Sequence, residues 1–353
     1  MTPITGVWER LAAAGIVRGT APPAADEQSP WYVTAMLGVA AWVSALFLLA
    51  FVAIALSDLL RNATSAIVTG ALLCAAAIAV LRIAGGGVFA TQLAVAASLA
   101  GQALVMFGVL EGSARDAASW GVIALFEAIL VAAAPAYLHR VLATLGTAVA
   151  LRMALGEAGV VALYPASIAA AFVAAQGATP QRLLRDSLWS PVSTGLALAL
   201  LLVIPLSMVD DLFSFAHRPA SFIGVSAWMG TAAVTCVFLA SIGRLLRETG
   251  VGWRSRTGVW ALCGGMLLSL AAWPVPGVVV ALIVLLEAFA AGRRALAGLA
   301  VVALLAALAH YYYALQAPLL VKAEALAATG IVLLIARFAL RFARGDGQEA
   351  DHA

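Results

Sequence analysis

Two carboxylates, Glu127 and Glu287, stand inside long apolar runs of this 353-residue sequence. An ionisable group in hydrocarbon costs about 2.5–3.5 kcal/mol on insertion scales, so each is a functional candidate by default. Glu127 lies between Phe126 and Ala128, near the middle of its run. Glu287 lies towards one end of its run, within a turn or two of Arg293 and Arg294. A proton or cation pathway uses carboxylates placed in this way. The structural alternative is a neutral or paired carboxylate that fixes helix packing, and for Glu287 the two arginines offer a ready partner. A third set of polar residues closes the apolar part of the chain: Tyr311, Tyr312 and Tyr313, then Lys322 and Glu324. Lys322 is the only lysine. Near a membrane surface it can snorkel, bind an anion or pair with Glu324. The tyrosines suit an interfacial aromatic belt.

Other polar groups point to structure more than to chemistry. Gln92 and Gln102 share one run, and their amides suit hydrogen bonds to neighbouring helices. Arg152 and Glu157 flank Gly156 as a local ion pair at a helix end. Pro135, Pro165 and Pro205 are read as helix kinks. The histidines, His139, His217, His310 and His352, are too far apart for a zinc-protease motif. Cys74, Cys236 and Cys263 lie in apolar runs without metal-ligand spacing and are read as buried free thiols. Phosphate-binding, dinucleotide-binding and nucleophile-elbow motifs are absent. No cofactor, metal site or catalytic residue is expected.

The elements that must carry these residues follow from composition. The chain is 64% hydrophobic and only 10% charged, against about 25% charged in a soluble domain. In hydrocarbon each backbone N–H and C=O must be paired internally, which leaves helices or closed barrels. The apolar runs last about twenty residues without alternation, so the helix is selected. The predicted fold is an all-α polytopic bundle of about twelve transmembrane helices, with the lipid bilayer as its first partner. A net charge of +3 is read as the basic excess of cytoplasmic loops, not as a nucleic-acid surface.

Residues 1–30 form a cytoplasmic segment with a surface helix or frayed end over 4–17 and a proline-bearing linker; charges at Glu9, Arg10 and Arg18 argue against a signal peptide. The multi-pass domain covers 31–340, and 341–353 is a polar tail. The predicted spans are 31–56, 63–81, 88–110, 119–137, 141–156, 158–175, 191–208, 221–242, 257–273, 276–291, 295–313 and 318–340. The pair within 141–175 is the weakest and reads either as a hairpin or as one broken helix. With both termini cytoplasmic, one side of the membrane receives fifteen of the twenty Lys and Arg residues. The other side receives Arg61, Arg115, Arg152, Arg218 and Lys322. That bias supports an even number of spans, twelve or ten.

The stretch YYYALQAPLLVKAEALAATGIVLL and the opening SPWYVTAMLGVAAWVSALFLLAFV resemble the two ends of a bacterial family of multi-pass membrane proteins, the domain of unknown function 4401. The resemblance covers about 30–340. It departs from the family pattern at Ala323, where a serine follows the lysine. It implies a bacterial inner-membrane location. It also implies gene neighbours that include a second membrane family and a small membrane-anchored protein named for a GDYXXLXY motif. It assigns no activity and no site residues.

Three functions follow as expectations. A membrane-embedded accessory or scaffold subunit, working with a neighbouring membrane or membrane-anchored envelope protein, is favoured slightly by the short loops and the gene neighbours. A secondary transporter would use Glu127 as its proton or cation site and Lys322 near an outer gate. An intramembrane enzyme acting on a lipid-type substrate ranks last.

Overall fold

The computed structural model of the chain describes residues 62–83, 87–177, 186–213, 220–273 and 275–314, with scattered helical positions between 32 and 54 and between 320 and 334. The expected surface helix, linker and polar tail lie outside the described residues, as do the first and last expected spans apart from those scattered positions.

Among the described residues all regular structure is helical, in ten α-helices and one 3-10 turn. They are α1 (Ala63–Ile83), α2 (Val88–Glu111), α3 (Ala117–Ala133), α4 (Tyr137–Glu157), a 3-10 turn (Val161–Leu163) and α5 (Tyr164–Gln176). After these come α6 (Asp186–Phe213), α7 (Ala220–Glu248), α8 (Arg256–Ala271), α9 (Pro276–Ala290) and α10 (Arg294–Ala314). Four stretches are long and apolar enough to cross a membrane: α1, Phe89–Glu111 of α2, α4 and Trp228–Glu248 of α7.

Two of the three prolines act differently from expectation. Pro135 does not kink a helix; it lies in the extended link 134–136 between α3 and α4. Pro lacks an N–H and disfavours helix at the residue before it, so the chain turns there. Tyr137 therefore opens α4 instead of closing the preceding span, and it brings His139 and Arg140 into a helix. Pro165 stands in the first turn of α5, where the missing N–H costs nothing. The segment 141–175 resolves into two helices joined by the 3-10 turn, and Gly159, with φ +75°, makes the reversal possible. At thirteen residues, α5 is only about 20 Å long, shorter than the roughly 30 Å hydrocarbon layer. The expectation of buried thiols holds for Cys74, whereas Cys236 and Cys263 are exposed on the protein surface.

Side chains tie off both ends of α3. Asp116 caps α3, its Oδ1 accepting from the Ser119 amide at 2.9 Å and from the Ser119 hydroxyl at 2.7 Å. The Ser119 hydroxyl is the main reason that the Asp116 carboxyl lies below its ordinary value. The cap therefore contributes fully above the ordinary aspartate range and fades as pH falls through the lowered value. At the other end of α3, Arg82 donates to the Ala133 carbonyl at 3.0 Å, which fastens the end of α1 to that of α3.

Packing divides into two regions that share α4. The larger core joins α4, α5, α6, α7, α9 and α10 through Phe172, Leu200, Ile283 and Val284. On the other side, α1 and α2 approach through small residues. A Cβ added at Gly70 would lie 2.5 Å from the Gly101 carbonyl oxygen, and one at Gly101 would lie 2.6 Å from Cys74 Sγ. Small side chains of this kind let helix backbones come close in a bilayer, where tail-like side chains gain little by leaving lipid.

Gly101→Leu should therefore destabilise the α1–α2 pair by about 1–3 kcal/mol, the usual range for overpacking. Gly121→Leu, at a site with nothing within 4 Å, is the control. Unfolding midpoints in detergent that are equal for the two variants would contradict the close approach.

Candidate functional site

α2 carries Ser98 and Gln102 one helical turn apart, both buried. Four residues at 1.5 Å rise put them about 6 Å apart along the axis, on one face. α3 presents Glu127, 5% exposed, and α4 presents His139, 1% exposed. The Ser98 hydroxyl and His139 Nε2 are 2.7 Å apart. The Gln102 amide bridges Ser98 and Glu127: in the orientation that satisfies both of its ends, its nitrogen lies 3.3 Å from both Glu127 oxygens while its oxygen accepts from Ser98 Oγ at 3.3 Å. Cys74 on α1 closes the cluster, its thiol donating to the Ser98 carbonyl at 3.4 Å.

Room for the Glu127 carboxylate comes from α4. A Cβ at Gly146 would lie 2.9 Å from Glu127 Cδ and 3.0 Å from Oε2. The cluster is thus one buried hydrogen-bonded row, Glu127–Gln102–Ser98–His139, with a titratable group at each end. Glu127 makes no ion pair among the described residues. His139 Nδ1 is buried and has no hydrogen-bond partner among them. A buried polar atom in that state calls for an explanation. Cys74, Glu127 and His139 do not come together as a group able to hold a metal ion.

Glu287 sits in a different environment. It is 1% exposed on α9, and its expected partners, Arg293 and Arg294, are not the ones it uses. Arg244 of α7 pairs with Glu287 Oε2, and the Ser241 hydroxyl donates to Oε1 at 2.5 Å. Arg244 also pairs with Glu248 at 2.6 Å. The correction has a simple cause. Arg293 and Arg294 follow the turn that ends α9, whereas Ser241 and Arg244 occupy one face of α7, which packs along α9. Arg293 turns to α6, donating to the Ser193 hydroxyl at 2.7 Å and to the Thr194 hydroxyl. Thr194 is in turn 2.8 Å from the Tyr137 hydroxyl.

Glu127 and Glu287 therefore belong to separate clusters. Tyr312 lies in the last turns of α10 and is half-buried. Tyr313 belongs to the same helix, and Lys322 lies outside the described residues. Both glutamines of α2 bond to neighbours as expected, Gln92 Oε1 accepting from Trp42 Nε1 at 3.1 Å. His139 was the residue missed. Read as lying between spans, it had no partner; the break at Pro135 is the signal that puts it in a helix facing Ser98.

Arg244→Ala should leave Glu287 buried without its cation, and loss of one partner of a buried pair typically costs about 3–5 kcal/mol. The double variant Arg244→Met, Glu287→Leu should recover most of that in a detergent unfolding assay. A double variant no more stable than Arg244→Ala would contradict the assignment of Glu287 to packing.

A family model described as Domain of unknown function (DUF4401) matches residues 30–341. No curated protein and no solved structure matches the chain.

Proposed function

We propose, from the premise that the chain belongs to the DUF4401 family, that it is a secondary transporter that binds and releases a proton at Glu127. The observation that carries this reading is the contrast between its two buried carboxylates. Glu287 is held by a guanidinium and a hydroxyl, which is the arrangement of a structural ion pair. Glu127 has an amide for a neighbour and, through Ser98, a histidine two hydrogen-bond steps further on, with no ion pair among the described residues. Such a carboxylate can gain or lose a proton without breaking a salt bridge, which a coupling site requires. Intramembrane carboxylates and histidines in series are a recurring means of moving protons.

The reading places the chain in the bacterial inner membrane as a bundle of about twelve spans with both termini in the cytoplasm. The fifteen-to-five distribution of Lys and Arg between the two sides supports that topology. With this orientation the link 134–136 faces the cytoplasm, and Glu127 lies about 9 Å inside the end of α3. A neighbouring membrane or membrane-anchored envelope protein is compatible with transport as a second component. The scaffold reading rests on short loops, few buried charges and the gene neighbours implied by the family, and no feature of the cluster favours it. Among the described residues no arrangement of side chains supports the lipid-directed enzyme.

The test needs no knowledge of the solute. Proteoliposomes adsorbed to a solid-supported membrane and given a pH step should show a transient charge displacement. Glu127→Gln should keep expression and monodispersity and reduce the transient at least tenfold, while Glu287→Gln, if it folds, should retain it. A full transient from Glu127→Gln would end the proposal.

A further inference from the structure

The geometry points to a binding site for a phosphate-bearing anion at Arg293, at the end of the bundle where α4 and α10 begin. The site uses no member of the Glu127 row and does not depend on proton exchange there.

Arg293 follows the turn that ends α9 and immediately precedes α10. It is half-buried, whereas Arg294 beside it is exposed. Its Nη1 donates to the Ser193 hydroxyl at 2.7 Å and its Nη2 to the Thr194 hydroxyl. The hydrogens of those hydroxyls are already committed. Ser193 donates to the Ser190 carbonyl at 3.0 Å, and Thr194 donates to the same carbonyl at 2.9 Å. A hydroxyl has one hydrogen and two lone pairs, so both oxygens meet the guanidinium as acceptors. Tyr137, the first residue of α4, has its hydroxyl 2.8 Å from Thr194 Oγ1. With the Thr194 hydrogen spent, Tyr137 is the donor in that bond.

Two neutral oxygens therefore fix the plane of the guanidinium and leave its charge whole. Arg293 makes no ion pair among the described residues. The acids of the elements around it are engaged or remote. Glu287, the acid of α9, is taken by Arg244. α10 has no acid, and Glu157 ends α4 at the opposite side of the bundle. Asp186 opens α6, about two turns before Ser193. A partly desolvated cation without a counter-ion is unfavourable, and most of the five N–H donors of a guanidinium remain to bind one. Both α4 and α10 start at this place, so the positive ends of two helix dipoles add to the same potential.

A guanidinium held flat, with a free edge of N–H groups, matches the paired oxygens of a phosphate. Arg293 also stands where the apolar run of α10 begins, which is headgroup depth if α10 crosses the membrane. The phosphate of an anionic lipid and a small phosphate from solution present this same chemistry.

The test uses the full chain in a neutral detergent. In one arm, phosphatidylglycerol is added and the lipid retained per protein is counted by native mass spectrometry. In the other, inorganic phosphate is titrated against chloride at equal ionic strength, and binding is read as a saturable rise in the unfolding midpoint. Saturable binding is expected in at least one arm, and the arm identifies the source. Arg293→Gln should weaken it by about tenfold or more, the scale of a lost hydrogen bond to a charged group. Arg294→Gln removes the same charge from the exposed neighbour and should change it by less than about twofold, as for a solvated surface charge. Arg293→Lys keeps the charge but loses the planar fork, and it should also weaken binding. No saturable binding in either arm, or equal losses in Arg293→Gln and Arg294→Gln, would overturn the site and leave Arg293 as a tie between α6 and α10. Should Arg293→Gln fail to fold, Arg293→Lys decides, and binding as tight as in the unsubstituted protein would overturn the proposal.

Discussion

A carboxyl group placed among apolar helices has no water to turn to, so its hydrogen-bond partners must be supplied by side chains on neighbouring helices. The arrangement of α1 to α4 follows from that constraint at Glu127. α2 supplies the partner, Gln102. α4 supplies the space, because a side chain at position 146 would meet the carboxylate. α1 lies close enough against α2 to bury the row, because Gly70 and Gly101 let the backbones touch. Gly70, Gly101 and Gly146 each leave room for a neighbour's backbone or side chain. The same constraint at Glu287 has a different answer, a guanidinium and a hydroxyl from α7.

This contrast separates two uses of a buried charge. A buried ion pair is strongly destabilised by removal of one partner and adds little to stability over apolar packing, so it fixes geometry. A carboxyl group facing an amide and a hydroxyl is less rigidly determined, because both partners can reverse their hydrogen-bond direction. Gln102 and Ser98 are each donor and acceptor at once. A row built from such groups does not fix the charge of the carboxyl group at its end as an ion pair does. α4 connects the two regions, since it carries His139 and Gly146 to the polar row and Leu145 and Leu151 to the larger core. The polar row and the larger core thus both hold α4 in place.

Much of this was legible in the sequence. The apolar runs place most helices correctly because helix is the one open-ended way to pair a backbone in hydrocarbon, and Glu127 and Gln102 stand out as polar groups inside those runs. The partners were less legible. Nothing in a single chain says that Glu287 looks across to Arg244, forty-three positions earlier, instead of along its own helix to Arg293. Proximity in sequence misled because the turn after α9 swings Arg293 towards α6. His139 is hidden by a helix boundary: the apolar runs end one span at Tyr137 and begin the next at Val141. Reading Pro135 as the break, as its missing N–H requires, would have put His139 on the first turn of α4 and within reach of α2.

Infrared difference spectroscopy between acid and alkaline pH tests most directly whether Glu127 exchanges its proton inside the bundle. A protonated carboxyl group shows a carbonyl stretch that the carboxylate lacks, and a buried one stands apart from exposed acids. The unsubstituted protein should show such a band that comes and goes with pH. It should be missing from Glu127→Gln, present in a folded Glu287→Gln variant and shifted in Gln102→Met. A spectrum in which Glu127→Gln removes no pH-dependent carboxyl band would mean that Glu127 keeps one protonation state, and the polar row would then be structural.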